Sequence, residues 1–287
     1  MTPAWKPVLR RGALLAALLA LAAGPGGCAD AVRRAVYRPG GTVSDDPGPL
    51  RPGAQTVTVV NDAGQALKGL YWQGPHEAPV VVFFQGRTGG LEEAAAYAAP
   101  LLDRGYSLLV ASYRGYAGNE GQPSETGLYA DGGAFLSKAV ELCTGCEVTL
   151  VGHSLGAAVA LHWGGDPRVA SVVTLGAFST LAAAAPKLWR GWLKGEYANL
   201  DAAARLRTPV IFFRGRFDDT VSQEDAELLL SRAPANSLLL ELDAQDHRPD
   251  MAKVADLIPA ARRATGPAGL DALVAIAKRD NFAIFRK

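Results

Sequence analysis

Glu147-Val148-Thr149-Leu150-Val151-Gly152-His153-Ser154-Leu155-Gly156-Ala157-Ala158-Val159-Ala160 is the stretch that decides how the rest of the chain is read. A run of Val, Leu and Thr passes directly into an Ala-rich run, with Gly-His-Ser-Leu-Gly at the joint. The first half reads as a buried strand and the second as a helix. The joint is G-x-S-x-G in the strand–turn–helix setting that a nucleophile elbow needs. Gly152 and Gly156 suit a strained turn in which side chains would collide with the neighbouring strand and helix. Such a turn holds Ser154 Oγ out at the carboxyl edge of a sheet. It also aims the Leu155 N–H at the place where an oxyanion forms. Ser154 is therefore the candidate nucleophile.

Outward from the elbow, strands alternate with helices. Residues 56–60 and 67–72 flank the turn Asn61-Asp62-Ala63-Gly64 and read as strand, turn, strand. Val80-Val81-Val82-Phe83-Phe84 is apolar throughout, the signature of a strand buried on both faces. A Gly-rich loop over 85–90 follows, then a helix over 91–104, a strand over 106–112 and a helix over 125–142. Beyond the elbow helix, strands are expected at 169–175, 209–213 and 237–242. Helices are expected at 223–232, 251–263 and 270–278. This order predicts an α/β, three-layer architecture: a mostly parallel sheet with an antiparallel N-terminal edge. The connection after Ser179 leaves little or no room for a lid. It carries Trp189 and Trp192, which either line an acyl pocket or pack on the fold.

With 287 residues, 49% hydrophobic and 20% charged, the chain has the size and balance of one globular domain with a substantial core. Lys+Arg number 29 against 28 Asp+Glu, and no basic stripe interleaves with aromatics, which argues against a nucleic acid partner. The N-terminus is different. Lys6, Arg10 and Arg11 precede the apolar run 13–23, followed by small residues and Cys28. That is the layout of a secretory signal over residues 1–27, and the run is short for a membrane-crossing helix. Gly26-Gly27-Cys28 resembles a bacterial lipobox, in which the cysteine is lipidated and becomes the mature N-terminus. Pro25 departs from that pattern, standing where Leu is usual. A plain cleaved signal and an uncleaved anchor are the alternatives. Ala29, not Asp, follows Cys28, so the familiar inner-membrane retention signal is missing. The expected location is the bacterial cell envelope, with membrane contact through a lipid on Cys28 and outer-membrane placement favoured.

Residues 28–52, rich in Pro, Gly and Asp, read as a tether, and 53–287 as the folded domain. Cys143 and Cys146 are too few for a zinc site and read as a local disulfide of an oxidising compartment. No metal or organic cofactor is implied.

A nucleophilic serine needs a base, and the base needs an orienting acid. Four histidines allow elimination. His153 sits inside the elbow and points away from Ser154. His162 lies about two turns down the elbow helix, out of reach. His76 precedes the nucleophile, against the order serine, acid, histidine. His247 remains, in the polar loop Asp243-Ala244-Gln245-Asp246-His247 after the last expected strand. The acid is expected just after the preceding strand, in Arg214-Gly215-Arg216-Phe217-Asp218-Asp219-Thr220-Val221. Its spacing from Gly215 and Val221 favours Asp218 over Asp219, leaving Asp219 to cap the next helix. The second oxyanion donor is expected from the loop after residues 80–84, as the backbone N–H of Arg87.

Residues 56–251 resemble an α/β-hydrolase, in particular the compact serine-hydrolase branch that contains protein depalmitoylases and their bacterial relatives. Beyond the elbow, two stretches carry the likeness. One is 112–131, Ser-Tyr-Arg-Gly-Tyr-Ala-Gly-Asn-Glu-Gly-Gln-Pro-Ser-Glu-Thr-Gly-Leu-Tyr-Ala-Asp; the other is 215–221, Gly-Arg-Phe-Asp-Asp-Thr-Val. Ser112 stands where that branch has Asp, and Gln85 and Arg87 stand where it usually shows His and Asn. A backbone donor survives a side-chain change, so these departures bear on substrate preference. Arg87 and Arg114 near the mouth either favour an anionic substrate or form a salt bridge to Glu120 or Glu125.

The resemblance implies a serine hydrolase acting on an ester or thioester of a small-molecule or acylated substrate. A peptidase or amidase, and a non-catalytic binding protein on the same scaffold, are the rival readings.

Overall fold

The computed structural model describes residues 25–41, 51–76, 78–88, 90–143, 145–264 and 266–287, with residues 25–29 described by backbone alone. The strands are β1 (Gln55–Val60), β2 (Ala66–Trp72), β3 (Val80–Phe84), β4 (Ser107–Ala111), β5 (Val148–His153), β6 (Val169–Leu175), β7 (Val210–Gly215), β8 (Leu238–Leu242) and β9 (Phe282–Arg286). They form one sheet in the order β1-β2-β4-β3-β5-β6-β7-β8-β9. From β4 through β3 to β8 all neighbours are parallel, while β1, β2 and β9 pair antiparallel at the two edges.

The helices are α1 (Pro25–Tyr37), α2 (Leu91–Ala98), α3 (Glu125–Leu142), α4 (Leu155–Trp163), α5 (Leu181–Ala184), α6 (Asn199–Arg205), α7 (Gln223–Arg232), α8 (Met251–Ala261) and α9 (Pro267–Arg279). Successive strand residues point to opposite faces, and the core divides accordingly. Val82, Leu150 and Phe212 pack with Phe135 of α3, Val159 of α4 and Leu229 of α7. Val81, Val151 and Ile211 pack with Ala95 of α2, Ile258 of α8 and Leu273 of α9. Helices therefore cover both sides of the sheet, as fully apolar strands require. Among the described residues, no helix is long and apolar enough to cross a membrane.

This is the three-layer, mostly parallel sheet expected from the sequence, with its antiparallel N-terminal edge. Three features differ from the sequence reading. The expected helix over 91–104 changes to a 3-10 turn from Ala99 to Arg104, because Pro100 brings no N–H for the α-helical ladder. The chain ends in β9, whose Phe282 and Phe285 extend the core past the last helix. The third concerns the expected tether. Residues 42–50 lie outside the described residues, but 25–37 are helical, and α1 packs Val36 and Tyr37 into the core with Val32 against it. Val32 and Val36, four apart, share one helical face, and Tyr37 adjoins it. Arg33 and Tyr37 fasten the helix by donating to Glu196, at 3.0 and 3.3 Å.

The connection from Ser179 to Ala198 is small, as expected: α5, then a 3-10 turn over Lys187–Leu193. Cys143 and Cys146 are disulfide-bonded on the turn before β5.

Sheet growth reverses at β3, which has β4 on one side and β5 on the other. In open α/β sheets the crevice beyond the carboxyl ends of such strands is where ligands bind. The loops leaving β3 and β5 carry Arg87 and Ser154.

Candidate active site

The elbow is a backbone conformation enforced by crowding. Ser154 adopts φ 52° and ψ −113°, a region that costs a non-glycine residue about 1–3 kcal/mol. Its neighbours leave it little choice. A Cβ on Gly156 would lie 2.0 Å from the Phe84 carbonyl oxygen, and one on Gly152 would lie 2.3 Å from the Gly156 oxygen. Helix α4 can therefore start directly against β3 and β5. The Ser154 N–H is held by the Leu175 carbonyl at the end of β6, 2.8 Å away.

The side chain of Ser154 meets the base singled out in the sequence. Ser154 Oγ lies 2.8 Å from His247 Nε2, and His247 Nδ1 lies 2.8 Å from Asp218 Oδ2. The tautomer follows from the acceptors. An ionised carboxylate can only accept, so Nδ1 carries the proton and Nε2 is free to receive one from the serine hydroxyl.

Asp218 sits in the turn after β7, its side chain fully buried. Its Oδ1 accepts the N–H groups of Thr220 and Val221, both at 2.9 Å. Burial alone would raise its pKa. The hydrogen bond from His247, with the charge on that ring and the two backbone donors, more than offsets burial, so the carboxyl stays below the usual range. Beneath this turn, Arg214 is buried and paired with Glu241 of the adjacent strand, and it also donates to the Val221 carbonyl at 3.4 Å. Asp219 is exposed and accepts only from the Thr220 hydroxyl, at 3.3 Å, among the described contacts. It does not cap the next helix. Ser222 does, accepting from the Asp225 N–H, because α7 begins three residues later than an Asp219 cap requires.

Two neighbours hold His247 in place. A Cβ on Gly176 would come within 2.7 Å of His247 Cε1, so the ring lies directly against that glycine. His153 bonds to the backbone of His247: its Nε2–H donates to the His247 carbonyl at 3.0 Å. Burial, then the charge of His247, pushes the His153 pKa down to about 4, so it is a neutral donor at ordinary pH. Neither role was legible: elimination by chain order tests residues as bases and says nothing of supports. His162 stacks on Tyr129 with ring centroids 3.7 Å apart, well away from this relay.

Leu155 is the first residue of α4, so its N–H has no partner inside the helix. It shares one pocket with Ser154, Arg87, Val36, Phe178, Leu181, Ala184–Pro186 and Thr220. The structure thus brings Ser154, Leu155 and Arg87 to one wall. Beside them, Gly86 leaves no room for a side chain: a Cβ there would meet His153 Nδ1 at 2.9 Å. Arg87 is half-buried, and burial followed by the nearby Arg38 lowers its pKa. Arg114 pairs with the buried Asp131 at 2.7 Å, not with Glu120 or Glu125, and Asp131 also accepts the Arg114 backbone N–H at 2.9 Å. Trp189 packs against the core, whereas Trp192 is exposed; neither lines the pocket. Val36 does line it, from a helix that the sequence reading took for a tether. Among the described residues, no group of His, Cys, Asp or Glu is placed to hold a metal ion.

Residues 79–236 match the family described as the alpha/beta hydrolase fold. The chain belongs to the α/β-hydrolase family. An uncharacterised Mycobacterium tuberculosis protein is 32% identical over 213 residues, covering 70% of this chain and 75% of its own. The esterase domain of a Rhodothermus marinus protein superposes with a TM-score of 0.58 at 22% identity, over 74% of this chain and 99% of that one. A Pyrococcus furiosus esterase does so with a TM-score of 0.60 at 19% identity, over 84% and 98%. At such identities the two structures share the α/β-hydrolase fold. In this α/β-hydrolase, the arrangement can move a proton from Ser154 to His247 while Asp218 balances the resulting charge.

Proposed function

We propose that the protein is a serine hydrolase that cleaves a carboxylic ester or thioester through an acyl-enzyme. The observation that carries this reading is the continuous relay from Ser154 through His247 to Asp218, with 2.8 Å at each link. Ser154 Oγ attacks the carbonyl carbon as its proton passes to His247 Nε2. The oxyanion meets the N–H groups of Leu155 and Arg87. His247 gives its proton to the departing alcohol or thiol, and water then repeats the sequence on the acyl-enzyme to release the acid. The esterases named above share this fold, which supports an ester as the substrate.

We also propose that the chain is exported and tethered to the cell envelope by a lipid on Cys28, as the basic, apolar and small-residue order of residues 1–28 supports. Cys28→Ala should abolish lipid labelling; labelling that persists refutes the anchor.

The first experiment is a fluorophosphonate probe on wild type beside Ser154→Ala. Labelling that vanishes in the variant, with folding unchanged, supports the activated serine. A folded wild type that takes no label overturns the reading and favours a binding protein.

A further inference from the structure

The segment over the pocket combines exposed apolar and cationic side chains. Leu188 is 83% exposed and Trp192 48% exposed on the 3-10 turn, and Phe217, beside Asp218, is 66% exposed. Lys187, Arg190 and Lys194 are exposed between them, and residues 180–195 contain no acidic residue. Helix α1 lies against this segment through its bonds to Glu196, and adds exposed Arg34, with exposed Arg38 directly after its last residue.

Exposed Trp and Leu set among Lys and Arg are the composition of a surface that sits in a lipid interface, ring and chain among the acyl groups, cations at the headgroups. The chain that leads into α1 strengthens this choice over a protein partner. The apolar run 13–23 ends two residues before Pro25. Cys28 precedes Val36 by eight helical positions, about 12 Å along the axis, and Val36 is a wall of the pocket that holds Ser154. Whatever fixes Cys28 or the apolar run at a bilayer also brings the pocket to it.

We propose that the 187–194 turn, Phe217 and the exposed cations of α1 form a surface that docks on an anionic lipid bilayer, so that the pocket receives the acyl chain of its substrate from the membrane. This rests on the serine-hydrolase reading. The pocket that holds Ser154 is lined by Val36 of α1 and by Ala184–Pro186 beside the turn, which belong to the elements that meet the bilayer.

The test uses the full chain reconstituted in phosphatidylcholine vesicles with and without phosphatidylglycerol, as wild type and as Leu188→Asp/Trp192→Asp. Two substrates are compared, water-soluble p-nitrophenyl acetate and a long-chain fluorogenic acyl ester embedded in the vesicle. The double variant should hydrolyse the soluble ester as wild type does and lose about tenfold or more on the embedded one, most clearly with phosphatidylglycerol. Brominated lipid should quench wild-type tryptophan emission more than that of Trp192→Phe.

Equal rates on the embedded ester with equal quenching overturn the docking surface. So does a concentration-dependent dimer that the double variant abolishes, which would assign the face to a second copy. Failure of the parent reading looks different: neither ester is turned over and no fluorophosphonate label is taken up, while quenching still decides docking.

Discussion

Replacing Asp218 by Asn tests the relay at its most determined point. Asp218 Oδ1 accepts two backbone N–H groups, from Thr220 and Val221, while Oδ2 accepts from His247 Nδ1. An asparagine has one acceptor oxygen and one donor nitrogen. Two fixed donors at the Oδ1 position hold the amide oxygen there, because the NH2 group would face both of them. The NH2 group is then presented to His247 Nδ1, which must become an acceptor. The imidazole proton moves to Nε2, facing Ser154 Oγ, where it blocks proton uptake from the serine. The geometry survives and the chemistry does not. Such a tautomer switch costs about four powers of ten in kcat, or about 5 kcal/mol of transition-state stabilisation at 1.36 kcal/mol per tenfold. The assay is steady-state hydrolysis of a soluble ester at neutral pH, with circular dichroism to show that the fold is kept. Asp219→Asn, at an exposed carboxylate outside the relay, is the control and should leave kcat near wild type. A loss below tenfold in Asp218→Asn, or a larger loss in Asp219→Asn, refutes the assignment of the acid.

His153, with a folded-state pKa of about 4 against about 6.5 in an unfolded chain, makes stability depend on pH. Between those values the unfolded chain binds a proton that the folded chain refuses, so stability is full above about pH 6.5 and falls as pH drops towards 4. The thermal midpoint should decline through that window in wild type and less so in His153→Gln, which keeps a donor for the His247 carbonyl; equal slopes would remove His153 as the cause. Gly156→Ala places a methyl 2.0 Å from a backbone oxygen of β3 and should cost several kcal/mol of stability in urea titration. Gly165→Ala, whose Cβ would meet nothing closer than 4.0 Å, should cost little, and similar costs at both positions would show that the elbow is not crowded.

How much could be read from the sequence depended on whether one local pattern carried the constraint. Apart from α5 and α6, which the sequence reading left inside one connection, the order of strands and helices from 55 to 261 was legible because each β3-like run is too apolar to be anything but a doubly covered strand, and because Gly and Pro mark the joints. The meeting of Ser154, Asp218 and His247 was legible for a related reason. Each follows a recognisable strand, so chain order alone brought them to one edge of the sheet. The supports were not. Gly176 and His153 act by touching His247 across the sheet, and a contact of that kind leaves no periodicity. Strand β9 follows α9 after two residues, and what makes it a strand is its antiparallel pairing with β8.

Helix α1 is the most instructive miss. Its apolar residues are few, and its surroundings from residue 38 onward are rich in Pro and Gly, so its composition is that of a linker. What makes it part of the domain is tertiary: Val36 and Tyr37 find a groove between the 3-10 turn and the loop at residue 116, and Tyr116 hydroxyl donates to the Tyr37 carbonyl. A segment read as a passive connection thus supplies a wall of the pocket that holds Ser154. A tether only needs length, whereas a wall needs a fixed position. That difference predicts that Val36→Asp, which puts a charge into the pocket wall, should weaken the hydrolysis of long acyl esters more than that of acetate. Val36 lines the pocket beside Ser154, so a long chain that fills the pocket is expected to meet it and an acetyl group is not. Equal losses on both esters, measured as kcat/KM, would return the segment to the role of a tether.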